Sequence, residues 1–124
     1  MKKILLVLFI FLMLCGCSSY EKKPVTVQSL PNVDVDEIAI IIESGNYILL
    51  DVRTKEEYDE SHLKGAINIP YDEIDENTNL DKTKKIMVYC KSGTRSNKAF
   101  NTLISLGYDA YDMGAFENIN LPKE

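Results

Sequence analysis

Two apolar runs of strand length limit the fold of this chain more than any other feature. They cover residues 47–52 and 85–89, are dominated by aliphatic and aromatic side chains, and do not alternate regularly with polar ones. A strand with one solvent-exposed face would show that alternation, whereas a strand covered by helices on both faces is largely apolar. The runs therefore predict neighbouring strands inside a mostly parallel sheet.

Helix signals separate the predicted strands. Asp34 and Thr54 are each followed three residues later by a glutamate, Glu37 and Glu57, which is the capping-box spacing of a helix start. Gly45 follows the first helix pattern, where a left-handed residue would end it. Strands that alternate with helices predict one α/β domain. The predicted elements are a short strand from residue 32, a helix between 34 and 45, strands over 47–52, 66–69, 85–89 and 110–113, helices over 55–61 and 95–106, and a brief helical turn within 71–77.

The N-terminus has the pattern of an export signal. Lys2 and Lys3 precede an apolar run of 11 residues, 4–14, which is too short for the about 20 residues of a membrane span and suits a signal peptide. The small residues before Cys17 resemble the lipobox of bacterial lipoproteins, which implies cleavage after residue 16 and lipidation of Cys17. The expected organisation is a cleaved signal peptide over 1–16, a lipidated tether over 17–31, and an α/β domain over 32–124. An ordinary secretory signal or a short membrane anchor is the alternative.

Charge and residue counts exclude two classes of function. The formal net charge is −5 and the chain has no basic run, which argues against nucleic acid as a partner. His62 is the only histidine, and processing before Cys17 with lipidation of that residue would leave Cys90 as the only unmodified cysteine. A zinc site is therefore not expected, and no cofactor is predicted.

Cys90 lies where a buried strand is predicted to meet a short loop. A helix is expected to begin four or five residues later, and Gly93 allows the backbone between them to curl tightly. Such a curl can direct successive N–H groups inward beside a helix N-terminus, which favours an anion and the thiolate form of cysteine. Lys91 and Arg95 add positive charge. A buried core thiol is the plainer alternative.

Three segments together resemble a single-domain rhodanese: residues 51–53, 62–70 and 90–96. The resemblance implies a five-stranded parallel sheet flanked by helices and sulfurtransferase activity through a persulfide on Cys90. The donor would be a small anion, thiosulfate or a polysulfide, and the acceptor a thiophile such as cyanide. From their position at the end of a predicted buried strand, Asp51 and Arg53 are expected to pair and brace the loop, and capping of the next helix is the alternative. The anion-binding loop would comprise Lys91, Ser92, Gly93, Thr94, Arg95 and Ser96.

Other readings of the same residues stay open. Related phosphatases and arsenate reductases carry a loop one residue longer between cysteine and arginine, so sulfur transfer is favoured over oxyanion chemistry. A non-catalytic rhodanese module that binds a partner is a further alternative. His62 is expected to be structural and not a base, because a thiolate needs none. The chain departs from the family pattern at Ser61, in place of glycine, and at Ala115 and Phe116, where the family has a second glycine and a tryptophan.

Overall fold

The computed structural model describes residues 35–124. Several predicted features lie outside this range: the signal peptide, the tether with Cys17, the short strand from residue 32 and the cap at Asp34. The helices are α1 (Val35–Ser44), α2 (Lys55–Glu60) and α3 (Thr94–Ser105), with single 3₁₀ turns at Tyr71–Glu73 and Phe116–Asn118. The strands are β1 (Tyr47–Asp51), β2 (Ile67–Asn68), β3 (Lys85–Cys90) and β4 (Ala110–Ala115).

The described strands form one sheet in the order β2-β1-β3-β4. Every pair of neighbours is parallel, with Leu50 of β1 opposite both Ile67 and Val88. The predicted α/β class and parallel sheet are thereby confirmed. Four strands fall within residues 35–124, and the fifth strand implied by the resemblance would precede them.

Both faces of the sheet are covered, as the apolar runs predict. Successive residues of a strand point to opposite faces, so each run divides between two clusters of buried side chains. One cluster packs against α3 and includes Leu50, Val52, Ile86, Val88, Cys90, Ala99 and Leu103. The other packs against α1 and the C-terminal segment and includes Ile41, Leu49, Leu63, Met87, Tyr89 and Phe116. Cys90 therefore belongs to the face that α3 covers.

β4 differs from its predicted length because it contains a bulge. Its pairing with β3 shifts register between Val88, opposite Asp112, and Tyr89, opposite Gly114. Gly114 has φ +77°, and its N–H donates to Oδ1 of Asp112 at 2.9 Å. A bulge inserts an extra residue and bends the strand. It extends β4 to Ala115 and brings Gly114 beside Gly93, where a Cβ built on Gly93 would lie 3.8 Å from the Cα of Gly114.

Parallel pairing places the carboxyl ends of β1 and β3 side by side. Asp51 lies opposite Tyr89, and the N–H of Val52 donates to the carbonyl of Tyr89 at 3.1 Å. The Tyr89 ring is fully buried, and its hydroxyl accepts the buried N–H of Leu63 at 3.0 Å. Burial raises the pKa of Tyr89, and its hydrogen bond with Asp51 adds to that rise. A neutral tyrosine thus joins the strand that carries Cys90 to the segment after α2.

Tyr89→Phe is predicted to lower the free energy of unfolding by about 1–3 kcal/mol, because it leaves the buried N–H of Leu63 without an acceptor. Urea denaturation at neutral pH measures the change. Tyr47→Phe is the matched control, since Tyr47 is half-buried against the same cluster. Equal stability of the Tyr89→Phe protein and the wild type would contradict the importance of this hydrogen bond.

Candidate active site

Cys90 is the last residue of β3 and is fully buried. The backbone N–H of Gly93 donates to its Sγ atom at 2.9 Å. Gly93 has φ +95°, a left-handed conformation that favours glycine, and it is the N-cap of α3. The chain therefore turns back at Gly93 so that a backbone dipole at the start of a helix faces the sulfur. This arrangement favours negative charge on that atom.

Ser96 holds the loop through a hydrogen bond to Gly93. It is fully buried, and its hydroxyl donates to the carbonyl of Gly93 at 3.1 Å. The N–H of Asn97 donates to the same carbonyl at 3.1 Å. The left-handed residue is thus bonded through both its N–H and its C=O. Lys91, Ser92 and Thr94 are exposed on the outer side of the loop.

Asp51 and Arg53 form a buried ion pair at the carboxyl end of β1. Asp51 is fully buried and Arg53 is 5% exposed. Nη2 and Nε of Arg53 donate to Oδ2 at 2.6 and 3.0 Å, and the backbone N–H of Arg53 donates to Oδ1 at 2.9 Å. Burial alone would lower the pKa of Arg53, but the hydrogen bonds and charge of Asp51 outweigh it and raise that pKa. The pair lies at the end of β1, next to the strand that carries Cys90.

Two of the departures from the family pattern, Ser61 and Phe116, contact Arg53. Its Nη2 also donates to the carbonyl of Ser61 at 2.6 Å, and its Cζ lies 4.4 Å from the centre of the Phe116 ring. The φ of Ser61 is −169°, which is extended backbone open to any residue. Phe116 in turn stacks on Tyr89 with ring centres 5.7 Å apart. The backbone at Ser61 therefore does not require glycine, and Phe116 contacts both Arg53 and Tyr89.

Arg95, the second residue of α3, pairs with Glu57 of α2. Nη1 donates to Oε2 at 2.7 Å and Nη2 to Oε1 at 3.0 Å. Hydrogen bonds from Arg95 lower the pKa of Glu57 to about 2, and the N–H of Thr54 adds to this against the effect of partial burial. The same hydrogen bonds raise the pKa of Arg95, which also interacts electrostatically with Cys90. The sequence assigns Arg95 to the loop that binds the substrate anion, whereas in the structure its terminal nitrogens donate to Glu57.

His62 is held by groups on both sides of its ring. Nδ1 lies 2.8 Å from the carbonyl of Tyr58, and the ring stacks on that of Tyr58 with centres 3.8 Å apart. Nε2 lies 3.3 Å from Oε1 of Glu124. The backbones of His62 and Glu124 also exchange two hydrogen bonds at 2.9 Å. Through these contacts His62 joins α2 to the C-terminal segment, which is a structural role.

Neither a metal-binding cluster nor a membrane-spanning helix is found in the part of the chain that the structure describes. Within residues 35–124, no group of three or more His, Cys, Asp or Glu side chains could hold a metal ion. No helix in that range is long and apolar enough to cross a membrane.

Comparison with known proteins assigns the chain to a family. The family model of the rhodanese-like domain matches residues 34–119. The chain is 37% identical to thiosulfate sulfurtransferase PspE of Escherichia coli over 78 residues, which cover 60% of this chain and 75% of that protein. It resembles a solved rhodanese with anions from E. coli, with a TM-score of 0.58, 34% identity, and coverage of 63% and 96% of the two chains. The human single-domain sulfurtransferase TSTD1 matches with a TM-score of 0.60, 27% identity, and coverage of 71% and 93%.

Sequence reasoning identified the capping role of Glu57 but missed its pairing with Arg95. The capping box is present: Thr54 Oγ1 accepts the N–H of Glu57 at 3.2 Å, and Oε2 of Glu57 accepts the N–H of Thr54 at 2.9 Å. The second partner lies 38 residues away in sequence. The one available signal was a cation in the first turn of α3, where it opposes the helix dipole and needs a counter-charge.

Glu57→Gln is predicted to destabilise the protein at neutral pH and to lose that effect in acid. The pKa of Glu57 falls from 4.5 to about 2 in the folded state. Its contribution is therefore complete above pH 4.5 and disappears as the pH falls toward 2. Urea unfolding over this range should show the gap between wild type and Glu57→Gln closing. Glu56→Gln, an exposed carboxylate on the same helix, is the control. A gap that stays constant with pH would contradict the assignment.

Proposed function

The chain belongs to the family of rhodanese-like domains, and we propose that it is a sulfurtransferase that carries sulfur as a persulfide on Cys90. The observation that supports this most directly is the N–H of Gly93 directed at Sγ of Cys90 at the start of α3. A sulfur anion is stabilised there by fixed backbone dipoles, and a nucleophilic thiolate needs that stabilisation.

Two displacements on sulfur complete the reaction. In the first, the thiolate of Cys90 attacks the sulfane sulfur of thiosulfate or the terminal region of a polysulfide. The Sγ–S bond forms, the donor S–S bond breaks, and sulfite or a shortened polysulfide leaves with the electron pair. In the second, a thiophile such as cyanide attacks the outer sulfur of the persulfide, and the thiolate of Cys90 is restored. No net oxidation of the protein occurs.

The loop has the features that such an intermediate requires. A persulfide places its outer sulfur one bond beyond Sγ, and we expect that sulfur to lie beside the backbone N–H groups of the loop that includes Gly93. Backbone donors are fixed before the reaction begins, so they stabilise developing negative charge without reorganising. The relative PspE is named as a thiosulfate sulfurtransferase, and the E. coli rhodanese was solved with anions. Both support a small anionic donor for this chain.

Activation of Cys90 does not depend on a general base in this scheme. The ring nitrogens of His62 face Tyr58 and Glu124, so its described contacts are structural. Favourable charge comes from the Gly93 N–H, the N-terminus of α3 and the exposed Lys91. We infer that Cys90 reacts as a thiolate held ready by the loop.

Cys90→Ser is predicted to abolish sulfur transfer while leaving the fold intact, because a serine hydroxyl cannot form a persulfide. After treatment with thiosulfate, mass spectrometry of the wild type should show one added sulfur atom on the peptide that contains Cys90. Cyanide should remove it. Lys98→Gln, an exposed change on α3 outside the loop, should still acquire the sulfur. A folded wild-type protein that gains no sulfur from thiosulfate or polysulfide would instead support a non-catalytic binding module.

We also propose that the protein is exported and held at a bacterial membrane by lipid on Cys17. The support is the basic start, the apolar run over residues 4–14 and the small residue before Cys17. Two or more acyl chains anchor a protein stably, whereas one is marginal.

Metabolic labelling with a fatty acid is predicted to mark the wild-type protein and not the Cys17→Ala variant. Cys15→Ala is the matched control, since the bulky Leu14 before Cys15 makes it unsuited to lipidation, and it should keep the label. Absence of label from the wild type would exclude the lipoprotein proposal, and label that persists in Cys17→Ala would place the lipid elsewhere.

A further inference from the structure

The ion pair between Glu57 and Arg95 takes no part in the two displacements, although it lies at the loop that performs them. Each terminal nitrogen of the Arg95 guanidinium donates to a different oxygen of one carboxylate, at 2.7 and 3.0 Å. The pair connects the first turn of α2 with the first turn of α3, two residues after Gly93. Arg95 also interacts electrostatically with Cys90. Because Arg95 follows Gly93 by only two residues, its guanidinium is a potential donor to an anion in the loop unless another group holds it.

Arginine binds oxyanions through the same pair of donors. Its two parallel N–H groups match two oxygens of a carboxylate, a phosphate or a sulfate. A curl of backbone N–H groups followed by a helix N-terminus already attracts such anions. With a free arginine in the first helical turn, the Cys90 loop would offer an oxyanion both kinds of donor. In this chain both terminal nitrogens of the Arg95 guanidinium already donate to Glu57.

Glu57 is anchored and cannot easily yield to a competing anion. Its Oε2 atom also accepts the backbone N–H of Thr54 at 2.9 Å, and its own N–H is bonded to Oγ1 of Thr54. The carboxylate is thus fixed to the start of α2 independently of Arg95. An incoming oxyanion would have to break two charge-assisted hydrogen bonds and displace a carboxylate that remains beside it.

We propose that Glu57 is a positioning residue that makes the site select against tetrahedral oxyanions by holding both terminal nitrogens of Arg95. The inference rests on the proposed function, in which the donor presents sulfur to Cys90 and the loop N–H groups bind that sulfur. Sulfate and phosphate have no sulfane sulfur and must bind through their oxygens. Their affinity for the loop therefore falls most when Glu57 already accepts from both terminal nitrogens of Arg95. Sulfite, the leaving group from thiosulfate, is an oxyanion of the same kind, and its release is favoured for the same reason.

The test measures binding of inorganic sulfate, and separately of phosphate, to the resting protein by isothermal titration calorimetry. In Glu57→Gln, the neutral amide can still accept from Thr54, because glutamine also serves in a capping box. It no longer neutralises Arg95. We expect the dissociation constant for sulfate to fall about tenfold, or about 1.4 kcal/mol. Glu56→Gln removes the same charge from the same helix and should change the dissociation constant less than about twofold, the small effect of a screened surface charge.

Replacing Arg95 separates the guanidinium from general charge. In the Glu57→Gln background, Arg95→Gln should reverse the gain in sulfate affinity, so the double variant, which loses one charge of each sign, should bind sulfate about as weakly as the wild type. A gain that persists without Arg95, or no gain at all in Glu57→Gln, would overturn the proposal. If Glu57→Gln does not fold, the double variant alone decides: equal sulfate affinity in the double variant and the wild type supports the proposal, whereas a tenfold loss would show that Arg95 already binds oxyanions and would overturn it.

The outcome is independent of turnover, so it separates this inference from the proposed function. Thiosulfate treatment followed by mass spectrometry of the same preparations reports persulfide on Cys90. A protein that forms no persulfide but gains sulfate affinity in Glu57→Gln would refute sulfur transfer and keep the selectivity role. A protein that forms the persulfide and shows no gain would refute the selectivity role alone.

Discussion

The buried ion pair between Asp51 and Arg53 is the interaction on which the rest of the site depends. Asp51 is fully buried and Arg53 nearly so, and a buried charge that loses its partner costs several kcal/mol, about 3–5 in measured cases. The pair must therefore form whenever the domain folds. Because Asp51 ends β1 and Arg53 begins the connection to α2, its formation fixes the direction in which the chain leaves the sheet beside Cys90.

Arg53 extends that constraint to segments far away in sequence. It donates to the carbonyl of Ser61 after α2, and its guanidinium lies over Phe116 of the C-terminal turn. The side-chain amide of Asn68 donates to the carbonyls of Asp51 and Arg53 at 3.0 and 3.1 Å. The end of β2 and segments after β1, α2 and β4 thus meet at the carboxyl ends of the strands. Tyr89, the residue before Cys90, contacts this group, since its ring lies 5.6 Å from Cζ of Arg53 and stacks on Phe116.

The features that could be predicted from the sequence are those that depend on residues close together along the chain. The apolar runs, the capping box at Thr54 and the left-handed glycines Gly45 and Gly93 were all readable, since each depends on side-chain chemistry within a few residues. The bulge at Gly114 was not, because a bulge is defined by the partner strand and not by its own sequence. The pairing of Glu57 with Arg95 was hidden for a related reason: the capping box gave Glu57 a sufficient local role.

Both arginines near the loop are matched to carboxylates, Arg53 to Asp51 and Arg95 to Glu57. Their net contribution to the potential at Cys90 is consequently smaller than a count of cations suggests. The stabilisation of sulfur anions then falls mainly to backbone dipoles, which are fixed in direction and act over short distances. These dipoles attract oxyanions as well as sulfur anions, so they do not by themselves distinguish the two. Under the proposed role of Glu57, the distinction comes from the guanidinium of Arg95, whose terminal nitrogens already donate to a carboxylate when an oxyanion reaches the loop.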